Sequence, residues 1–261
     1  MPTISLWYLL AQDISNINMK NRLCIDMGNT WVKYAVVSQD KKVLSFTRTK
    51  NFSKRTLGRL YKEFNLSGCI LSSTRDIKKE ILALLKKKKN FILLTHKTQV
   101  PIKNGYDTPG TLGKDRLAAV IGAHALYPNH PSLVIDPGTC ITYDVITSDG
   151  KYLGGNISPG YYMRRQAMHR YTDKLPMVEA KENNPLLGTS TVKAMQNGAF
   201  YGTTGEMESF IRWIKKDFTG IKVLMTGGDA EMFAKHLNSK IFVLPYLVMI
   251  GLNEILTYNA P

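Results

Sequence analysis

The sequence of 261 residues predicts an α/β protein of two similar lobes that face each other across a cleft. A short pattern carries this prediction: an apolar run is followed by an aspartate, a glycine, a hydroxyl residue and a second strand-like run. The pattern occupies residues 23–30 and returns 110 residues later at 133–139. After each copy the expected elements recur as three strands, a helix, a strand and a helix. We therefore expect lobes at residues 19–130 and 131–261.

Hydrophobic periodicity predicts the elements of the first lobe. Three strands are expected at residues 22–26, 31–37 and 43–49. After them we expect a helix with Leu57, Leu60, Tyr61 and Phe64 on one face, a strand at 68–71, a helix with Ile77, Ile81, Leu84 and Leu85 on one face, and a strand at 91–94. Residues 95–112 predict a loop that is long for a passive connection and is therefore expected to hold substrate. A helix from 114 to 127 should bury Leu117, Val120, Ile121 and His124.

The second lobe is expected to repeat this opening, with strands at 133–136, 141–146 and 152–157. The later elements are a helix from 160 to 171, a helix from 191 to 217, a buried strand at 223–226, a helix through Phe233, a strand at 241–244 and a helix from 247 to 256. The long helix carries Met207, Phe210, Ile211 and Ile214 at helical spacing, which is typical of a core face but also offers a surface for a partner. Residues 1–18 are expected to be a loose, disordered extension, or a product of starting upstream of Met19, and are excluded from the fold.

Composition restricts the class of protein. With 44% hydrophobic residues the chain can bury a core, and no apolar run reaches the roughly 20 residues that a membrane span needs. Cys24, Cys69 and Cys140 show no metal or redox spacing and are expected to be reduced core residues of a cytoplasmic protein. The five histidines also lack the spacing of a metal site.

The net charge of +15 favours an anionic partner, either a nucleotide or a nucleic acid. Four lysines at residues 86–89 end a helical pattern, where they complement the helix dipole and keep a surface soluble. Aromatic residues do not interleave with these lysines, as a groove for single strands would require, so nucleic-acid binding is not expected.

Several residues could carry chemistry. Two facing Asp-x-Gly hairpins would present two carboxylates and two sets of amides to one polyphosphate and its cations. Asp-x-Gly is also common turn chemistry, but two copies at the starts of similar halves favour a function. Asp115 is either a first-turn acid favoured by the helix dipole or a general base at the cleft wall, and Arg116 either clamps an anion or pairs with a surface acid. Gly227 and Gly228 form either a nucleoside-contacting turn or a plain helix start.

A set of motifs in matching order resembles the type III pantothenate kinases over roughly residues 23–256. The motifs are Asp26-Met27-Gly28-Asn29-Thr30, Gly113-Lys114-Asp115-Arg116, Asp136-Pro137-Gly138-Thr139, Gly154-Gly155-Asn156-Ile157-Ser158-Pro159-Gly160 and Thr226-Gly227-Gly228-Asp229-Ala230. That family belongs to the acetate and sugar kinase, Hsc70 and actin superfamily. The resemblance therefore implies two duplicated ribonuclease H-like lobes around a nucleotide cleft. It also implies phosphorylation of pantothenate by ATP, the first step toward coenzyme A.

The resemblance further implies roles for individual residues. The residues expected at ATP are Asp26, Met27, Gly28, Asn29, Thr30, Trp31, Val32 and Lys33 in the first phosphate loop (residues 26–33), and Thr139 in the second phosphate loop (residues 136–139). Mg²⁺ is expected near Asp26, and a monovalent cation, K⁺ or NH₄⁺, at Asp136. Asp115 matches the general base. The residues expected at pantothenate are Tyr106, Gly113, Lys114, Asp115, Arg116 and Thr191, with Thr189 as a competing match for Thr191.

A homodimer in the cytoplasm is also implied, with the acceptor pocket near the subunit interface. Asn156 and Ser158 depart from the small apolar residues expected in their motif, which puts local packing in question. Three rivals remain: a non-catalytic nucleic-acid-binding protein related to the Bvg accessory factors, a two-metal nuclease, and a kinase of the superfamily with another hydroxylated substrate. The separate loops of Asp26, Asp115, Asp136 and Asp229 argue against the nuclease.

Overall fold

The computed structural model describes residues 21–182 and 185–260, which form two sheets with seven helices. The predicted extension, residues 1–18, lies outside the described residues. The strands are β1 (Asn21–Met27), β2 (Val32–Val37), β3 (Val43–Thr49), β4 (Leu66–Ser73), β5 (Phe91–Leu93), β6 (Lys103–Asn104), β7 (Ser132–Pro137), β8 (Cys140–Ile146), β9 (Lys151–Pro159), β10 (Lys222–Met225) and β11 (Phe242–Val243). The helices are α1 (Lys54–Glu63), α2 (Lys79–Lys86), α3 (Lys114–Leu126), α4 (Tyr161–Arg170), α5 (Thr191–Asp217), α6 (Ala230–Ala234) and α7 (Leu247–Asn259).

The two sheets have equivalent topology. The first has the order β3-β2-β1-β4-β5, and the second has the order β9-β8-β7-β10-β11 with β6 added beside β9. In each sheet the first three strands are antiparallel neighbours, and the last two run parallel to the first. The internal duplication predicted from the sequence is therefore confirmed at the level of strand order.

Local signals explain where the major helices begin and which faces they bury. Ser53 caps α1 by accepting the Thr56 N–H, and Ser190 caps α5 by accepting the Lys193 N–H. The apolar stripe of α5 is buried, with Met207 and Ile211 packed against the second sheet. Its predicted core role is thus confirmed for these two residues.

Helices α3 and α7 pack between the two sheets with their backbones in contact. A Cβ on Gly251 would lie 1.7 Å from the Ala118 carbonyl oxygen, and one on Gly122 would lie 2.4 Å from that of Leu247. The core around these helices contains Cys24 from the first sheet and Val134 from the second. The predicted lobes therefore share a core, and a boundary between residues 130 and 131 stays a prediction.

The structure corrects three sequence-based expectations. The loop predicted at residues 95–112 contains β6, a two-residue strand that pairs with β9 of the second sheet. His124 is only partly buried because it lies in the last turn of α3. Cys140 is also partly exposed, at the start of β8, whereas Cys24 and Cys69 are buried as expected. No helix in the described part of the chain has the length and apolar character needed to cross a bilayer.

Candidate active site

The duplicated hairpins place the two phosphate loops at the ends of β1 and β7. Asp26 and Asp136 are each the penultimate residue of their strand. The following turns are closed by backbone bonds, in which the Gly28 N–H donates to Trp31 O (3.0 Å) and the Gly138 N–H donates to Cys140 O (2.9 Å). The Oγ1 atoms of Thr30 and Thr139 are 3.5 Å apart. The two loops therefore meet, although they belong to different sheets.

The carboxylates of both loops and of the first turn of α3 influence one another. Burial raises the pKa of Asp26 to about 6, and the negative charges of Asp115 and Asp136 add to this, while Lys33 opposes it. Burial likewise raises the pKa of Asp136 to about 6, with Lys33 opposing and Asp115 adding. Asp26, Asp115 and Asp136 therefore share one electrostatic environment around Lys33.

One carboxylate oxygen of Asp26 is buried without a hydrogen-bond donor in the part of the chain that the structure describes. Its side chain is 5% exposed, and within the described residues its Oδ1 atom is buried without a hydrogen-bond partner. A buried carboxylate oxygen without a donor is costly unless a cation or another ligand satisfies it. Oxygen ligands are those that Mg²⁺ prefers, so the residue fits the predicted cation. No group of three or more metal-ligating side chains occurs among the described residues.

Two basic side chains, Arg48 and Lys50, lie over the Trp31 ring of the first phosphate loop. The guanidinium carbon of Arg48 lies 4.3 Å from the centroid of the Trp31 ring, and the Lys50 ammonium lies 5.3 Å from it. The positive charge of Arg48 also acts on Asp229, where it opposes the rise in pKa that burial causes. Arg48 therefore reaches from the first sheet toward the turn after β10.

Glycines allow two segments, the turn after β10 and the start of α4, to approach the second phosphate loop closely. Gly227 has a positive φ of 100°, and a Cβ there would lie 2.3 Å from Asp136 Oδ1. A Cβ on Gly160, at the start of α4, would lie 2.1 Å from the Gly138 carbonyl oxygen. The Asp229 N–H donates to Pro137 O (3.1 Å), which holds the turn after β10 against the loop. The Gly227–Gly228 turn thus packs on the second phosphate loop, and its contact with a nucleoside stays a prediction.

The start of α3 forms another wall of the site. Asp115 lies in its first turn, and its Oδ1 accepts the Arg116 N–H at 2.9 Å. Lys114 Nζ donates to the Ser73 carbonyl oxygen (2.9 Å) and so ties α3 to the end of β4. An open polar cavity of about 670 Å³ lies here, lined by Ser73, Thr74, Arg75, Asp76, Thr111, Leu112, Gly113 and Lys114.

Arg116 is 5% exposed and pairs with Asp144, which is a residue that sequence reasoning missed. The Arg116 guanidinium lies 5.6 Å from the centroid of the Tyr106 ring, so two residues predicted at the acceptor are neighbours. Short β6 explains the place of Tyr106, because the Gly105 N–H donates to Tyr152 O (2.9 Å) on β9. No sequence pattern singled out Asp144, because its partner Arg116 lies 28 residues away on a different element.

Thr191 is the one predicted acceptor residue that the structure leaves apart. It is the exposed first residue of α5. That end of the helix packs on the preceding segment, where Asn197 Nδ2 donates to Pro185 O (2.6 Å). Among the described residues no recorded contact joins Thr191 to Tyr106, Asp115 or Arg116. Its competitor Thr189 accepts a hydrogen bond from Lys193 Nζ at 3.5 Å.

Solved structures share the architecture. A candidate Baf family transcriptional activator from Campylobacter jejuni has a TM-score of 0.56 at 22% identity, covering 91% of this chain and 98% of that chain. The activator of 2-hydroxyisocaproyl-CoA dehydratase from Clostridium difficile, solved with bound ADPNP, has a TM-score of 0.52 at 14% identity, covering 90% and 94%. At these identities the likeness shows the fold alone. The predicted fold class, two duplicated ribonuclease H-like lobes, is confirmed.

Sequence comparison gives closer relatives. A family model described as type III pantothenate kinase matches residues 22–213. A type III pantothenate kinase from Phocaeicola vulgatus is 44% identical over 238 residues, which are 91% of this chain and 98% of the relative. One from Flavobacterium johnsoniae is 35% identical over the same shares of both chains. Because the family model spans most of the sequence and the relatives align over nearly their whole length, the chain belongs to the type III pantothenate kinase family.

Proposed function

We propose that the protein transfers the terminal phosphoryl group of ATP to the primary hydroxyl of pantothenate and so forms 4′-phosphopantothenate. The observation that carries this proposal is the meeting of the two phosphate loops at Thr30 and Thr139, with Asp115 acting on the aspartates of both. The curated relatives are named type III pantothenate kinases, which supports both the donor and the acceptor. The reaction would supply the first intermediate on the way to coenzyme A.

The phosphate loops would bind the triphosphate. The N–H groups of residues 28–30 and the hydroxyl of Thr139 are suited to phosphate oxygens, as are turn amides in general. The positive charge of Lys33 acts on both Asp26 and Asp136, where it opposes the rise in the pKa of each carboxyl group that burial causes. Lys33 would also balance negative charge on the phosphates. Met27, Trp31 and Val32 complete the first loop, and Trp31 is already covered by Arg48.

Two aspartates are suited to cations that the reaction would use. Asp26, with its unpartnered buried Oδ1, would hold Mg²⁺ together with the phosphates. Asp136 would hold the monovalent cation, K⁺ or NH₄⁺. A divalent cation at Asp26 would neutralise the charge that develops on the leaving phosphate oxygens.

Asp115 is proposed as the general base. Phosphoryl transfer passes through a loose transition state, so alignment and charge do most of the work and the proton leaves the hydroxyl late. Asp115, at the start of α3, would orient the pantothenate hydroxyl toward the terminal phosphorus and accept its proton. Tyr106, Gly113, Lys114 and Arg116 would surround the acceptor.

Homodimer formation is part of the proposal. Within the described part of the chain Thr191 lies apart from the other predicted acceptor residues, and a second copy of the chain would bring it to their pocket. Ile157 and Leu153, which are 60% and 41% exposed on β9, provide apolar surface for such a contact. Light scattering on the purified protein should give twice the mass of 29.4 kDa. We also propose a cytoplasmic location, because all three cysteines are free thiols.

The direct test incubates the purified protein with pantothenate, ATP, Mg²⁺ and K⁺ and measures phosphopantothenate. Product that depends on both substrates would support the proposal, and its absence would contradict it. A superfamily kinase with a different acceptor would consume ATP only with other hydroxylated compounds. A nucleic-acid-binding protein, consistent with the charge of +15, would instead bind DNA with strong salt dependence and without ATP turnover.

A further inference from the structure

Asp144 is a buried carboxylate on β8 that the mechanism above does not use. Its side chain is 1% exposed. Arg116 Nε donates to Asp144 Oδ1 (3.0 Å) and Oδ2 (3.2 Å), and Arg116 Nη2 donates to Oδ1 (2.6 Å). The Tyr152 hydroxyl also donates to Oδ1, at 2.6 Å. Asp144 is therefore bound by two side chains from two different elements, α3 and β9.

These bonds fix the orientation of the Arg116 guanidinium. They engage the Nε–Nη2 edge of the planar fork, so Asp144 does not use the Nη1 end, and the Tyr106 side chain also interacts with Arg116. Arg116 is the residue immediately after Asp115 on α3. Consecutive residues of a helix point in different directions, so Asp115 and Arg116 are suited to different groups of one acceptor.

Asp144 also controls the Tyr106 ring indirectly. The rings of Tyr106 and Tyr152 are stacked, with centroids 6.0 Å apart and planes 10° from parallel. A second neighbour of the ring is Arg116, whose guanidinium carbon lies 5.6 Å from the Tyr106 centroid. Strand β9 must approach closely for this packing, since a Cβ on Gly155 would lie 2.8 Å from Asp144 Oδ1. One buried carboxylate thus binds two neighbours of the Tyr106 ring.

We propose that Asp144 is a positioning residue for the acceptor, which acts through Arg116 and Tyr152 to set the guanidinium and the Tyr106 ring that contact it. The inference rests on the proposed function, because it assumes that Arg116 and Tyr106 bind pantothenate. The pantothenate carboxylate is the group with the chemistry that a guanidinium recognises. A buried ion pair adds little to stability compared with apolar packing, so stability alone does not explain this one.

Steady-state kinetics on Asp144→Asn test the proposal. Loss of the charged acceptor should release Arg116 and raise KM for pantothenate roughly 10- to 100-fold, as expected for a charge-assisted hydrogen bond. KM for ATP should change much less, because in the described part of the chain the Asp144 side chain accepts no hydrogen bond from the phosphate loops and acts on Asp136 only through its charge. Asp144→Glu, which keeps the charge, should recover part of the pantothenate affinity. The matched control is Asp149→Asn, an exposed aspartate on the same hairpin, which should match the wild type.

Tyr152→Phe keeps the inference testable if Asp144→Asn does not fold. It keeps the ion pair and the stacked ring and removes only the hydroxyl that donates to Asp144. KM for pantothenate should rise about threefold to tenfold, because Asp144 loses one hydrogen bond while its bonds to Arg116 remain, and KM for ATP should be unchanged. A KM for pantothenate within twofold of the wild type in this variant and in any folded Asp144 variant overturns the inference. A parallel loss of kcat with both KM values unchanged also overturns it, since that indicates less folded enzyme. A wild type without pantothenate turnover contradicts the proposed function itself, and the inference with it.

Discussion

The two phosphate loops start from the same sequence pattern but differ in length and in what surrounds their aspartates. The turn after β1 spans residues 28–31, whereas the turn after β7 has only residues 138 and 139. Asp26 is buried, with an unpartnered oxygen. Asp136 is partly exposed and is approached by Gly227 from the turn after β10. The pattern determines the hairpin, and the neighbouring elements determine what each aspartate can bind.

The largest effect is expected at Asp115, which acts on both loops but belongs to neither. Asp115→Asn should retain folding and ATP binding while turnover falls ~10²- to 10⁴-fold, as is usual when a general base is lost. Rates with saturating substrates and ATP affinity should be measured together. Asp173→Asn, an exposed aspartate, serves as control. Near-normal turnover in Asp115→Asn would refute its assignment.

The second largest effect is expected from substituting alanine for a glycine that packs against a phosphate loop. Gly227→Ala places a Cβ 2.3 Å from Asp136 Oδ1 and 2.5 Å from the Pro137 carbonyl oxygen, so it should displace the backbone of the second phosphate loop, with a loss of ~10²-fold in kcat/KM for ATP. Gly28→Ala should cost much less, because its Cβ would lie 3.3 Å from the Trp31 carbonyl oxygen.

Gly220→Ala is the matched control for Gly227→Ala. Gly220 also has a positive φ, of 74°, but a Cβ there would meet nothing within 4 Å. It should share the backbone strain of roughly 1 kcal/mol or more without the loss of activity. Equal activity losses in the two variants would show that crowding of the second phosphate loop is not the cause.

A third expectation concerns pH and stability at the first loop. The pKa of folded Asp26 is raised to about 6 from 3.8, so the protein without ligands should lose stability as pH rises from about 4 through 6. Asp26→Asn should therefore stabilise the protein by up to about 3 kcal/mol at pH 7.5 and by little at pH 4. Urea unfolding at both pH values measures this. Asp76→Asn, an exposed site, should show no such dependence, and a pH-independent effect of Asp26→Asn would count against the burial argument.

The smallest expected effect is at the second loop. Asp136→Ala should weaken activation by K⁺ or NH₄⁺, roughly tenfold in the cation concentration needed, on the scale of losing one charged ligand. Rates in Na⁺, K⁺ and NH₄⁺ buffers give the comparison. Wild-type activity that is equal in all three buffers would remove the basis for assigning a monovalent cation to Asp136.

Local sequence patterns were sufficient to predict most helices and strands. The features that could not be predicted depend on contacts between residues far apart in the sequence. The periodicity of α5 gave its bounds, residues 191–217, because every signal lies within the helix. Strand β6 has only two residues, which are too few to show an alternating hydrophobic pattern, and it forms by pairing with β9. Asp144 and Arg116 are 28 residues apart, so their contact depends on how α3 crosses the second sheet. The position of Tyr106 depends on the pairing of β6, so it could not be predicted from the sequence either.

The central claim is that both phosphate loops and Asp115 converge on one triphosphate. A crystal structure with a non-hydrolysable ATP analogue, Mg²⁺ and pantothenate tests this most directly. The account predicts the terminal phosphate between the amides of residues 28–30 and Thr139, with the Asp115 carboxylate about 3 Å from the pantothenate hydroxyl. A triphosphate held by one loop alone, or an acceptor hydroxyl far from Asp115, would contradict it.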